Sequence, residues 1–223
     1  MSPLAPSARR LVLLAASGLA REVLSTVRAG EADEVVAVLD DDPDRSGVRV
    51  GSTTVVGTTS AAASFAGCHF VICAGSGAAR AAVAARLAAV GIGPERFATI
   101  VHPSVDVPAG CRVGAGSILL AHTAITADVT VGDHVVVMPN VTLTHDCVVE
   151  DYATLCAGVA LGGGVRIGRG ATLGMTSSVR EHRRVGRGAV LGMGAVALDD
   201  VPDHQTRVGC PARPIVPASR GAA

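Results

Sequence analysis

The sequence predicts a small α/β unit followed by a parallel β-solenoid, and three observations carry that reading. Up to about residue 99, short apolar runs alternate with alanine-rich amphipathic runs. From Val101 onward an aliphatic residue recurs at every sixth position, sixteen times in succession, ending at Leu191. The third is composition: aromatic residues make up 2% of the chain and hydrophobic residues 49%. A core of Val, Leu, Ala and Gly requires backbones that approach closely and regularly.

The first part reads as strand and helix in turn. "RLVLLA" is a strand and "SGLAREVLSTVRAG" a helix ended by Gly30. "EVVAVLDDD" is a second strand running into the turn-rich "DDPDRSG". "HFVICA" is a third strand, "SGAARAAVAARLAAVG" a second helix, and "FATIVHP" closes the unit. Such alternation indicates a mainly parallel sheet. In the second part, a period of six fits neither a 3.6-residue helix nor a two-residue strand repeat. It fits a solenoid whose faces each take six residues, with the aliphatic inward and Gly or polar residues at the corners. Four places after each aliphatic stands a second, mostly small or branched residue, among them Cys111 and Cys147, which read as core residues. The expected domains are residues 1–99 and 100–223, the latter with a C-terminal tail.

Composition excludes several functions. The 223 residues carry a formal net charge of zero, which argues against nucleic acid or an anionic membrane as partner. All 19 basic residues are Arg, so P-loop, Schiff-base and Ser–Lys chemistry are ruled out. Six cysteines form no CxxC pair and no zinc-like cluster with histidine. The first apolar run is broken by Gly18, Arg21 and Glu22, too soon for a signal peptide or membrane span. A reducing cytoplasm is the expected location.

One stretch of the solenoid, "VTLTHDCVVED", carries candidate chemistry. His145 and Asp146 take the third and fourth positions of their hexad, at a corner rather than in the packed interior. Histidine titrates near neutrality and can take a proton from an attacking amine or hydroxyl. A neighbouring carboxylate can hold its tautomer. From pattern alone the residue reads equally well as an exposed corner histidine. In the α/β unit, Ser17–Gly18 occupies a strand-to-helix turn suited to phosphate. Asp40 ends the next strand, at the spacing from Gly18 where an acidic side chain meets ribose in nucleotide-binding folds.

The hexads, the preceding α/β unit and "HDCVVED" resemble the hexapeptide transferases, specifically bacterial sugar acetyltransferases. These comprise nucleotide-activated amino-sugar N-acetyltransferases and sialic-acid O-acetyltransferases. The resemblance covers about residues 11 to 216. It implies a Rossmann-like N-terminal unit and a left-handed parallel β-helix, assembled as a homotrimer with sites between subunits. Three hexads then make one triangular coil, which stacks the small Ala127 and Gly163 on His145 and leaves room to approach the imidazole. On the same count His122 and His134 fall in other columns, and His182 stacks above Asp146, two coils on. His102 and His204 sit at domain edges.

The resemblance also implies acetyl-CoA as donor and no metal, with His145 as general base and Asp146 raising its basicity. By the same match Thr154, Gly163, Met175 and Met193 contact the donor, and Arg213 of "VGCPARPI" meets a CoA phosphate. A structural role for Pro211 in that segment stays open, and Cys156 is a further candidate for substrate or donor contact. The acceptor would meet Ser17, Gly18, Leu19, Asp40, Asp41 and Gly75. This chain departs from the family's pattern at three places: "AASGL" carries Leu19 where a histidine is common, Met138–Pro139 replaces an Asn-Thr pair, and Thr154 replaces a histidine. The acceptor is therefore open between a nucleotide-linked sugar, acylated on N or O, and a non-sugar natural product. An inert scaffold predicts no CoA binding. A metal enzyme akin to γ-carbonic anhydrases would need His122, His134 and His145 together, yet the spacing puts them on different corners.

Overall fold

The computed structural model describes residues 8–30 and 32–215. Its first unit is a five-stranded sheet with two covering helices. The strands are β1 (Arg9–Leu14), β2 (Asp33–Leu39), β3 (Arg49–Val50), β4 (Thr53–Gly57) and β5 (His69–Ile72), in the order β3-β4-β2-β1-β5. β1 pairs in parallel with β2 and β5, while β3 and β4 form an antiparallel edge hairpin that the sequence pattern did not reveal. Because strand side chains alternate, Leu11 and Leu13 of β1 pack on one side and Val12 and Leu14 on the other. Helix α1 (Gly18–Gly30) covers the first side with Leu19, Val23 and Val27. Helix α2 (Gly77–Ala89) covers the second with Ala84 and Leu87. Strand order reverses between β1 and β5, so the turns at their carboxyl ends open a crevice there.

The second unit is a parallel β-helix of two-residue strands. Each strand pairs with the one three faces later, as in Val131↔Val149 and Val149↔Ile167, so three six-residue faces make one coil. Aliphatics Leu119 through Leu191 of the six-residue series are buried. Val101 and Val107 are exposed and Val113 half-buried, because no coil lies beneath the solenoid's first turn. The segment expected to close the α/β unit is divided: Phe97 bridges Phe70, whereas Ile100–Val101 pairs with Ile118–Leu119 and starts the solenoid. Corners turn through left-handed backbone at one residue each, and asparagine, aspartate and histidine take many of these places, including Asn140, Asp146 and His182.

The two units share a core. Ile118, Leu120 and Val136, on the outer surface of one solenoid face, pack with Leu19, Val23 and Leu24 of α1. Arg80 of α2, fully buried, enters the solenoid from the other side. Its Nε donates to His134 O at 2.8 Å, and its terminal nitrogens donate to Ala74 O, Gly75 O, Tyr152 O, Ala153 O and Thr154 Oγ1 at 2.8–3.0 Å. Five donors meet six neutral oxygens and no carboxylate. Burial lowers the guanidinium to about 10, opposed by Tyr152, which leaves it charged at neutral pH. The His134 ring lies between Phe97 (4.6 Å, edge-on) and Tyr152 (5.1 Å, stacked). Burial holds His134 below the ordinary histidine value, reinforced by Arg80 and opposed by Asp133 and Asp151.

Two outcomes follow from this junction. Replacing Arg80 by Ala strands several buried carbonyls and is expected to cost about 3 kcal/mol or more in urea unfolding. His134 stays neutral in the fold but takes a proton in the unfolded chain below about pH 6.5, so its contribution is complete above that value and is lost as pH falls through it. Wild-type stability should therefore decline between pH 7 and the lowered folded value. His134→Asn, which tolerates the left-handed backbone, should flatten that slope; an unchanged slope would assign it elsewhere.

Candidate active site

The corner after strand Thr142–Leu143 presents His145 and Asp146. Left-handed backbone at Asp146 (φ 61°) turns its carboxylate back, and Asp146 Oδ2 lies 2.7 Å from His145 Nδ1. This bond selects the tautomer in which Nδ1 carries the proton and Nε2 is free to accept one. Both side chains are accessible, 62% and 66% exposed. Gly163 stacks on the imidazole one coil later, and a Cβ there would overlap His145 Cε1 and Nε2. The absent side chain keeps the accepting nitrogen open, as a coil of three hexads predicts.

A cleft of about 350 Å³ opens where the α/β unit meets the solenoid, lined by Gly18, Leu19 and Gly75 together with Met138, Thr154 and Cys156. Three of the acceptor residues predicted from the sequence therefore come together. Ser17 and Asp40 support them: Ser17 Oγ donates to Cys73 O (2.6 Å) and caps the Ala20 amide, while Asp40 accepts from the amides of Ala16 and Asp42. Asp41 does not line the cleft. Partial burial disfavours its charge, but Thr59 and Arg86 overcome this and hold the carboxyl below its ordinary value.

The residues expected to meet the donor lie at separate corners of this chain. Thr154 belongs to the cleft between the two units, where its hydroxyl accepts from Arg80 and donates to Gly75 O at 3.3 Å, because Arg80 draws it inward. Met175 and Met193 stack on one another's coil and are 48% and 70% exposed. Their corner differs from that of His145 and Gly163. Arg213 is exposed on the terminal hairpin, its guanidinium 3.5 Å from Ala212 O. The sequence reading missed Arg80 and Glu22, the single charged side chain on the cleft wall among the described residues. Arg80 had a visible signal, for it falls in phase with Gly77, Ala84 and Leu87 on the buried stripe of α2. His122, His134 and His145 occupy three different corners, and among the described residues no group of three metal-ligating side chains converges. No described helix is long and apolar enough to cross a membrane.

Comparison with known proteins agrees with this architecture. Residues 128–163 match the model of the bacterial transferase hexapeptide (six repeats), and residues 10–87 match the PglD N-terminal domain. No protein of curated function matches the chain in sequence. Among solved structures, the acetyltransferase domain of PglB from Neisseria gonorrhoeae, in complex with acetyl coenzyme A, is 27% identical with a TM-score of 0.84. The match covers 94% of this chain and 100% of that one. PerB from Caulobacter crescentus, in complex with CoA and GDP-perosamine, is 28% identical with a TM-score of 0.85, covering 96% and 100%. WeeI from Acinetobacter baumannii, at 24% identity, shares the fold, with a TM-score of 0.80 and coverage of 93% and 100%. The chain is an acyltransferase built from hexapeptide repeats. More narrowly, it has the two-part architecture of bacterial sugar N-acetyltransferases, a PglD-type N-terminal domain followed by a left-handed β-helix.

The glycine beside His145 gives a direct test. Gly163 has no left-handed backbone, so Gly163→Ala should fold normally while pushing the imidazole aside. A loss of about 100-fold in kcat/KM for acyl transfer, with an unchanged melting temperature, is the expected result.

Proposed function

We propose that the chain transfers an acetyl group from acetyl-CoA to the amino group of a nucleotide-linked sugar, with His145 as general base. The observation that carries this reading is the His145–Asp146 pair at 2.7 Å with its second nitrogen left open by Gly163. His145 Nε2 takes a proton from the acceptor amine as it attacks the thioester carbonyl, and Asp146 holds the resulting imidazolium. The thiolate of CoA leaves and is protonated, so no acyl-enzyme forms. Structural relatives crystallised with CoA and GDP-perosamine, one a histidine-to-asparagine variant, support both the donor and the acceptor class.

The chain would work as a homotrimer. The cleft and the His145 corner share no lining residue, and a face of small outward side chains, Ala124, Thr142, Ala160 and Ser178, lies between their corners. A second copy packed on that face would bring its cleft, Met175 and Met193 to the first copy's His145 and Gly163. Met138 and Leu19 make the cleft largely apolar, which suits a deoxygenated sugar face. None of the six cysteines forms a disulfide, in keeping with a cytoplasmic protein.

The test follows free thiol released from acetyl-CoA with GDP-, UDP- and dTDP-linked amino sugars. His145→Ala should lower kcat by about 10²–10⁴-fold, the ordinary contribution of a positioned general base. Asp146→Asn should lower it by less. Undiminished turnover in His145→Ala would move the base to another residue, and absence of any turnover or CoA binding would leave only a scaffold.

A further inference from the structure

We propose that Arg166, Arg183 and Arg184 form a phosphate-binding subsite that anchors the phosphorylated end of the acyl donor. The proposal rests on the acyltransferase reading and adds a site that the resemblance had placed at Arg213. A cavity of about 450 Å³ runs from Asp146, the partner of His145, to Asp200, and its wall carries the three arginines and His182.

Three features show that this charge is held against local preference. Arg166 and Arg184 are direct neighbours on adjacent parallel strands, an arrangement in which like charges repel. Arg183 falls in the same inward column as Cys147 and Val165, both buried, yet it is a cation, and its Nε is buried without a partner. The coil above is shortened: Ile167 pairs with Val185 at the full three-face repeat, whereas Val185 bridges Val201, two positions sooner than that repeat would reach. The missing residues open the solenoid over Arg183.

The carboxylates nearby neutralise Arg184 alone. Asp146 is bonded to His145, and Asp200 accepts the Arg184 amide at 2.9 Å. Asp203 pairs with Arg184 at 3.1 Å. Arg166 and Arg183 have no acceptor for their guanidinium groups among the described residues. Planar guanidinium forks match phosphate oxygens, and a bound phosphate would satisfy both the repulsion and the orphaned Nε. The cavity wall at His182 lies two coils, about 10 Å, from Asp146 along the solenoid axis. Only an extended ligand can place a reacting thioester at His145 and a phosphate there. A thioester donor with a nucleotide at the far end of its arm has that form. A nucleoside diphosphate on the acceptor is the other possible source of the same chemistry, and the experiment separates them.

Calorimetry would measure binding of adenosine 3′,5′-bisphosphate and of UDP and GDP to wild type, Arg166→Gln and Arg183→Gln. Kinetics would compare acetyl-CoA with S-acetylpantetheine, which lacks the phosphates. Arg166 is exposed, so its variant stays informative if the Arg183 variant folds poorly. The expected result is about tenfold weaker bisphosphate binding, the worth of about one charge-assisted hydrogen bond. A matching rise in KM for acetyl-CoA should leave kcat and S-acetylpantetheine turnover unchanged. Wild type that ignores the bisphosphate, equal losses with both thioesters, or weakened UDP and GDP binding alone would overturn the assignment. Variant-sensitive bisphosphate binding without turnover of either thioester would keep the subsite and remove the acyltransferase reading.

Discussion

The buried guanidinium of Arg80 is the constraint on which the arrangement of the two units depends. A charge in this position gains little net stability, since desolvation consumes much of what its hydrogen bonds return. What it supplies is register. Its planar fork reaches the β5–α2 turn at Ala74 and Gly75 on one side and the carbonyls of His134, Tyr152 and Ala153 on the other. Since those acceptors belong to two successive coils and one loop, few relative placements satisfy all of them. The cleft wall formed by Gly75 and Thr154 is a consequence of the same bonds.

The setting of His145 depends on the solenoid's repeat in a different way. Every coil returns the chain to the same corner after three faces, so a side chain's surroundings are set by residues far away in sequence. His145 is open because Gly163 stands above it, and Asp146 meets it because a corner residue in left-handed conformation folds back on its neighbour. The same column continues through Gly164 and His182 to the arginine-lined cavity. A ligand lying along the axis would therefore meet His145, a gap and a cluster of cations in order.

Much of this was legible in the sequence, for a physical reason. A six-residue period that holds its phase over sixteen repeats leaves few folds open and puts His145 at a corner; its stacking partner follows once the family resemblance supplies three hexads per coil. The β3–β4 hairpin was not legible, because Arg49–Val50 and Thr53–Gly57 are too short to show a pattern. What several of the predicted side chains bond to within the fold was not legible either. Asp40 and Ser17 bind nearby main-chain groups, Asp41 pairs with Arg86, and Thr154 is drawn inward. Arg80 and Arg183 carried a readable signal of the same kind, since each is a cation in phase with apolar neighbours. Weighing such residues as interruptions of a pattern, rather than passing over them, would have found both.

The central claim is that one chain carries the base and another supplies the acceptor cleft, and subunit mixing tests it most directly. Gly75 faces open space, so Gly75→Leu would block the cleft without a clash, and His145→Ala removes the base. Each variant alone should be inactive. Trimers reassembled from an equal mixture should recover about a quarter of wild-type activity, because a cyclic interface pairs an intact base with an open cleft at one site in four. If every mixture stayed as inactive as its parents, base and cleft would have to act within a single chain, contradicting the shared site.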